Sequence, residues 1–332
     1  MLTRLVWRMD MRKDRRRPAI LYALLAAGLA VLCASGCSVA FKKPLDDEAR
    51  KLASGEFVQL SRGMVHYEFA GPESGAAVVL IHGLATPSFI WDHNFAALAG
   101  AGFRVLRYDH YGRGFSDRPK ATYDQELFDG QLFELLRKLD VPLPVHLVAL
   151  SMGGAVAVTF ADRHPGMVTT LSLVAPAGFP VDIPFAITLV RMPVIGEILI
   201  AMLGDPVVLA DVKESFVDPD KLPEFEEKFN VPLQYKGFHR ALLSTLRHMD
   251  LFGLAEAYQS VGAQNKPVLL FWGRKDEVLP FAHSGKVTAA IPHAEFHALD
   301  GAGHNLNYEN PELVNPVLIE FLRKNAGVAE RQ

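Results

Sequence analysis

Leu147-Val148-Ala149-Leu150-Ser151-Met152-Gly153-Gly154 is the stretch that decides the fold. Four apolar residues read as a short buried strand that runs straight into Ser151. Two glycines and a run of small residues, Ala155-Val156-Ala157-Val158-Thr159-Phe160-Ala161, follow at once and read as a helix. A serine at a sharp strand-to-helix turn is the nucleophile elbow: the backbone there is strained, and small neighbours let the helix pack close to the strand. Ala149 stands where the motif most often has its first glycine, which keeps that side chain small. Small-Ser-Gly runs also open ordinary helices, so the reading depends on partners elsewhere in the chain.

A serine hydroxyl is a weak nucleophile until a base takes its proton, and the base needs an acid to orient it. In this architecture the order along the chain is Ser, acid, His. Pro267-Val268-Leu269-Leu270-Phe271-Trp272-Gly273-Arg274-Lys275-Asp276 reads as a buried strand ending in a polar turn with Asp276. Ala294-Glu295-Phe296-His297-Ala298-Leu299-Asp300-Gly301-Ala302-Gly303-His304 reads as another strand, then a glycine-rich loop carrying His304. Parallel sheets gather their functional loops at the C-terminal edge, where both would lie. Taken singly, Asp276 reads as a turn cap and His304 as a loop histidine, and Asp300 is a rival acid on the histidine's own loop. The order and placement of all three select Ser151, Asp276 and His304 as the catalytic triad.

Ala77-Val78-Val79-Leu80-Ile81-His82-Gly83-Leu84 is a further buried strand ending in His-Gly. Acyl transfer builds negative charge on a carbonyl oxygen, which preorganised N–H groups must meet. The backbone amides of Leu84 and Met152 are the expected donors, and His82 is read as shaping the loop rather than as a second base.

With these residues in place the chain resembles the α/β-hydrolase superfamily over residues 56 to 325, in its lid-bearing esterase and lipase branch. The landmarks are His82-Gly83, Asp109-His110-Tyr111-Gly112-Arg113-Gly114-Phe115-Ser116-Asp117, the elbow at Ser151, Asp276 and His304. The resemblance implies a mostly parallel central sheet with helices on both faces and an inserted helical lid. It implies a structural role for the Asp109–Asp117 loop, with Gly112 and Gly114 in turns. Epoxide hydrolases and haloalkane dehalogenases are similar in fold but carry Asp at the elbow, so Ser151 implies ester, amide or carbon–carbon hydrolysis. The stretch Tyr235 to Arg247 resembles the lid of small bacterial lipases and monoacylglycerol lipases. The expected activity is therefore cleavage of carboxylic esters, with no cofactor and no metal. A carbon–carbon bond hydrolase of ring-cleavage products is the alternative, a haloperoxidase-like enzyme a weaker one, and a non-catalytic binding protein of the same fold a third.

Composition narrows the classes. The chain has 332 residues, half of them hydrophobic, enough for one sizeable domain with an insertion. Net charge is −3; residues 1 to 17 hold seven Lys/Arg and two Asp, so the remainder carries −8. An acidic body argues against nucleic-acid binding. Residues 1–37 read as an export segment or anchor: a basic start, an apolar run from Ala19 to Leu32, then Ala34-Ser35-Gly36-Cys37. Small residues before a cysteine resemble the bacterial lipobox, which implies lipidation at Cys37. Ser38 after it favours an outer-membrane address over an inner-membrane one. An uncleaved inner-membrane anchor and ordinary secretion are the alternatives, and all place the protein beyond the cytoplasm. The chain's two cysteines, Cys33 and Cys37, both lie in this segment, which leaves the body without a disulfide or a thiol nucleophile. Residues 38–55 read as a tether, 56–177 and 262–326 as the core, and 178–261 as the lid. The lid's first half is apolar, with two short helices broken at Pro193. It is read as a roof over Ser151, or as a surface that meets lipid. Its second half, from Asp218 to Phe229, is charged and expected to be solvated.

Overall fold

The computed structural model describes residues 42–182 and 185–326. The expected export segment and the lipidation site Cys37 lie outside the described residues. A single turn, α1 (Asp47–Arg50), precedes strands β1 (Glu56–Leu60), β2 (Gly63–Ala70) and β3 (Ala77–Ile81). Then come α2 (Asp92–Gly100), β4 (Arg104–Tyr108), α3 (Gln125–Lys138), β5 (Val145–Leu150), α4 (Met152–Arg163) and β6 (Val168–Val174). The insertion carries α5 (Phe185–Arg191), α6 (Ile195–Glu214), α7 (Leu222–Leu233), α8 (Phe238–His248) and α9 (Ala255–Ala263). Strand β7 (Val268–Gly273), α10 (His283–Ala290), β8 (Glu295–Leu299), α11 (Leu306–Glu309) and α12 (Pro311–Ala326) complete the chain.

The eight strands form one sheet in the order β1-β2-β4-β3-β5-β6-β7-β8. Pairings β1–β2 and β2–β4 are antiparallel, and every pairing from β4 to β8 is parallel. This is the α/β-hydrolase fold the resemblance implied. Its physical cause is visible in the strands: every residue of β3, β5 and β7 is buried, as strands covered on both faces require, and all are apolar but His146. Helices α3, α4, α9 and α10 make one covering layer; α2, α11 and α12 make the other. Because β3, β5, β7 and β8 are parallel, the loops that follow them emerge at one edge, and those loops carry His82-Gly83-Leu84, Ser151, Asp276 and His304.

In the insertion, α5 and α6 are separated at Met192–Val194, beside Pro193, as read from the sequence. Helix α6 then continues for 20 residues through Pro206. The segment from Asp218 to Phe229 differs from expectation. Glu224, Glu226 and Lys228 carry the charge, but Phe225 and Phe229, spaced i,i+4, are fully buried. Helix α7 is therefore an amphipathic cover rather than a solvated stretch. Among the described residues no helix is long and apolar enough to cross a membrane.

Candidate active site

Ser151 sits at φ 55° and ψ −120°, a conformation that an L-residue adopts only when its surroundings force it, at about 1–3 kcal/mol. Three hydrogen bonds hold it there. The Ser151 amide donates to the Val174 carbonyl at 3.0 Å, and the Ser151 carbonyl accepts from Gly154 and Ala177 at 2.9 Å each. The glycines behave as the motif requires. A Cβ on Gly153 would lie 2.3 Å from the Ile81 carbonyl oxygen and 2.7 Å from that of His82; one on Gly154 would lie 2.4 Å from Pro176 Cβ. Helix α4 thus rides directly on the end of β3.

That contact also brings the β3 loop to the serine. A Cβ built on Gly83 would stand 3.4 Å from Ser151 Cβ and 3.9 Å from its Oγ. Among the described residues the amides of Leu84 and Met152 have no acceptor. For Met152 this follows from its place at the first position of α4, where N–H groups have no partner within the helix.

On the acid–histidine side, His304 Nδ1 and Asp276 Oδ2 are 2.9 Å apart. Asp276 Oδ1 accepts from the amides of Val278 and Leu279 at 2.9 and 2.8 Å, so the turn cap and the histidine partner are one carboxylate with two oxygens in use. The Asp276 side chain is wholly buried and that of His304 is 8% exposed. Gly273 makes the pairing possible: a Cβ there would be 2.3 Å from the Gly303 carbonyl oxygen, so the acid's strand and the histidine's loop touch backbone to backbone. The rival acid, Asp300, is 91% exposed and pairs with Arg274. No hydrogen bond joins Ser151 Oγ to the His304 ring among the described residues.

The Asp109 loop is structural. Asp109 Oδ1 accepts from the Ser88 amide at 2.8 Å; Oδ2 accepts from the Phe115 amide at 3.0 Å and faces His66 Nδ1 at 2.8 Å. Burial works against its charge, but the His66 imidazole and these bonds hold its carboxyl far below the usual range. Gly112 and Gly114 adopt φ +84° and +48°, and a Cβ on Gly114 would overlap Asp109. His82 is a fixed neutral strut. Its Nε2 accepts from the His110 amide at 2.9 Å, so its Nδ1–H donates to the Gly83 carbonyl at 2.9 Å. Burial depresses its pKa to about 4.

Two features escaped the sequence. Arg113 is fully buried and bonds the Leu84 carbonyl. Asp211 on α6 is solvent-reached yet hemmed in by protein; burial and Glu214 raise its carboxyl, against the pull of His304. A cleft of about 390 Å³ between Glu214–Val217 and Arg274–Glu277 opens beside Asp276. A second, of about 560 Å³, lies across the lid between Lys42, Ile200, Phe238 and Arg247, apart from Ser151. No group of three His, Cys, Asp or Glu among the described residues is placed to hold a metal ion.

Comparison with known proteins agrees with this architecture. The Alpha/beta hydrolase family model matches residues 78–317, and the chain belongs to that family. An uncharacterized protein of Mycobacterium tuberculosis is 30% identical over 271 residues, covering 75% of this chain and 76% of that protein. A 2-hydroxy-6-oxononadienedioate/2-hydroxy-6-oxononatrienedioate hydrolase from Pseudomonas putida is 28% identical, covering 81% of this chain and 96% of that one. Among solved structures, a thermophilic esterase from Thermogutta terrifontis superposes with a TM-score of 0.69 at 24% identity, covering 82% of this chain and all of that one. The chain is a hydrolase by family.

Proposed function

We propose that the protein is a serine hydrolase that cleaves carboxylic esters through an acyl-enzyme on Ser151. The observation that carries the reading is the buried His304–Asp276 pair, 2.9 Å apart, at the sheet edge where the strained Ser151 also emerges. Asp276 holds the His304 proton on Nδ1, which leaves Nε2 free as the base. His304 takes the Ser151 proton as Oγ attacks the ester carbonyl. The amides of Leu84 and Met152, free of other acceptors, receive the oxyanion. His304 then returns the proton to the departing alcohol, activates water, and the acyl group leaves as the acid. The chemistry needs no cofactor.

The acyl portion is assigned to the apolar roof built by α5 and α6, which favours medium or long chains. Tethering to an envelope membrane through the lipid or anchor of residues 1–37 belongs to the same reading. The chain enters the described structure pinned to the lid: the Lys43 amide donates to the Gln234 carbonyl at 2.9 Å, and its carbonyl accepts from Lys236 at 2.8 Å. A tether attached there would hold the lid toward the membrane.

The Pseudomonas putida relative keeps carbon–carbon hydrolysis as a second reading, with the same site and a ketonic substrate. Hydrolysis of p-nitrophenyl esters from acetate to palmitate, with Ser151→Ala alongside, separates the two. Turnover that peaks at medium or long chains and vanishes in the variant supports the ester reading. A folded protein inert on every ester, yet labelled at Ser151 by a fluorophosphonate, moves the assignment to carbon–carbon hydrolysis. Absence of labelling removes catalysis altogether.

A further inference from the structure

We propose that Arg113 is the positioning residue of the oxyanion loop, braced by the lid through Thr245. The proposal rests on the ester-hydrolase reading of the site. Its starting point is that an amide can stabilise an oxyanion only if its direction is set before charge appears. The Leu84 N–H belongs to the Gly83–Leu84 peptide, and the carbonyl of that peptide is held by His82 Nδ1–H. The next peptide begins with the Leu84 carbonyl, and Arg113 Nε–H donates to it at 2.8 Å. The two bonds fix the peptide planes on either side of the Leu84 Cα. Without the Arg113 bond the loop is held from the His82 side only, and the Leu84 N–H can tilt away from the Ser151 side.

The rest of the guanidinium explains how it stays in place. One terminal nitrogen donates to Thr245 Oγ1 on α8 at 2.9 Å, and the other to the Tyr111 carbonyl at 3.3 Å. Thr245 spends its own proton on the Ala241 carbonyl at 2.9 Å, which leaves its oxygen as an acceptor for Arg113. The rings of Tyr123 and Phe128 lie 5.9 and 5.7 Å from the guanidinium carbon. Among the described residues no carboxylate pairs with this fully buried cation. A buried charge without a counter-ion is destabilising, and an apolar side chain of equal volume would fill the space without that penalty. What the apolar substitute lacks is the pair of directed donors that join the β3 loop to the lid. Because α8 is the far end of that link, lid packing and oxyanion geometry become one mechanical unit.

The test uses the full chain in detergent, with Arg113→Met, Arg113→Lys and Thr245→Val. The readouts are kcat and KM on p-nitrophenyl butyrate, the rate of fluorophosphonate labelling, and the melting temperature. A mispositioned oxyanion donor predicts that Arg113→Met lowers kcat by about 100-fold while KM moves less than about 3-fold, with labelling slowed in parallel. Arg113→Lys, which can reach one acceptor but not both, falls between Met and wild type. Thr245→Val loses the lid brace alone and lowers kcat by roughly 5-fold at unchanged KM, a fraction of the full donor loss. A purely structural role would lower the melting temperature and leave kcat and labelling per folded molecule unchanged; that result overturns the proposal. If Arg113→Met does not fold, wild-type kcat in both Arg113→Lys and Thr245→Val overturns it equally. A wild type inert to esters and to the fluorophosphonate refutes the hydrolase reading itself, whereas an active wild type with insensitive variants refutes only this inference.

Discussion

Gly153→Ala is the substitution that most directly tests the claim that helix α4 must ride on β3 for the site to form. In an isolated helix the change would be favourable by roughly 1 kcal/mol, since alanine is the better helix former. In this protein the added Cβ falls 2.3 Å from the Ile81 carbonyl oxygen and 2.7 Å from that of His82. Both neighbours are backbone, so neither can rotate aside. A carbon–oxygen contact of about 3.3 Å is the closest comfortable approach, so the helix start must retreat by about 1 Å. Overpacking of this kind costs about 1–3 kcal/mol, which offsets and exceeds the propensity gain. The retreat also carries Ser151 away from Gly83 and Leu84, and a 1 Å misplacement of a reacting group lowers turnover by about 100-fold. The control is Gly130→Ala on α3, whose Cβ would meet nothing within 4 Å; it should raise stability by about 0.5–1 kcal/mol at unchanged activity. Urea melts and ester turnover on the three proteins decide the matter. A Gly153→Ala protein with wild-type midpoint and wild-type kcat would refute the reasoning.

Other outcomes follow from the same contacts. Asp276→Asn keeps an oxygen for the Val278 and Leu279 amides but turns an N–H toward His304 Nδ1, imposing the wrong tautomer; kcat should fall by about 10⁴-fold with little change in melting temperature. An Asn variant within tenfold of wild type would remove Asp276 from the triad. His146, buried against Thr170 Oγ1, has its pKa lowered by burial to about 4, below the unfolded value of 6.5. Its stabilising contribution is therefore complete above pH 6.5 and is lost as pH falls toward 4, by up to ~3 kcal/mol. His146→Gln should flatten this acid limb in urea melts between pH 7 and 4, and parallel curves for the two proteins would contradict it. Asp205 on α6 accepts from Lys42 of the entering chain and faces His239 of α8 at 2.9 Å. Asp205→Ala should speed hydrogen exchange at residues 42–45 and at the start of α8, while β5 and β7 stay protected; unchanged exchange at both sites would show that the latch holds nothing.

The core was legible because its constraints are local and strict. Runs such as Val78 to Ile81 and Val268 to Trp272 have no polar residue to place on a solvent face, so they had to be central strands. Ser151 was legible because a strained turn tolerates few neighbours, and Gly153 and Gly154 supply them. Asp276 is preferred over Asp300 in the sequence because Asp300 shares the histidine's own loop; in the structure Asp300 points to solvent and Arg274, while the touching backbones at Gly273 and Gly303 bring Asp276 beside His304. The insertion was read less well. Phe225 and Phe229 lie among seven charged residues from Asp218 to Lys228, and composition hid a spacing that buries both rings. Arg113 was hidden for a different reason: an arginine between two glycines reads as a solvated turn, and nothing in the sequence says that its acceptors are a carbonyl 29 residues before it and a threonine 132 residues after it.

That contrast bears on how the site works. The groups assigned to bond making rest on the ends of parallel strands, where backbone contacts at Gly153 and Gly273 leave no room for adjustment. The groups that would meet the substrate's variable part lie on α5 and α6, where Phe185 is 75% and Val207 54% exposed. A rigid sheet can keep an oxyanion loop aligned through many substrates only if the cap that receives each substrate does not pull it out of line. The bonds from Arg113 to Leu84 and Thr245 run between those two regimes. Acyl-chain preference should therefore change readily with substitutions at the exposed apolar positions of α5 and α6, such as Phe185 and Val207, whereas substitutions at Thr245 on α8 should alter turnover of every ester alike. A Thr245→Val protein whose loss of turnover depended strongly on chain length would mean that α8 belongs to the acyl pocket and not to the oxyanion brace.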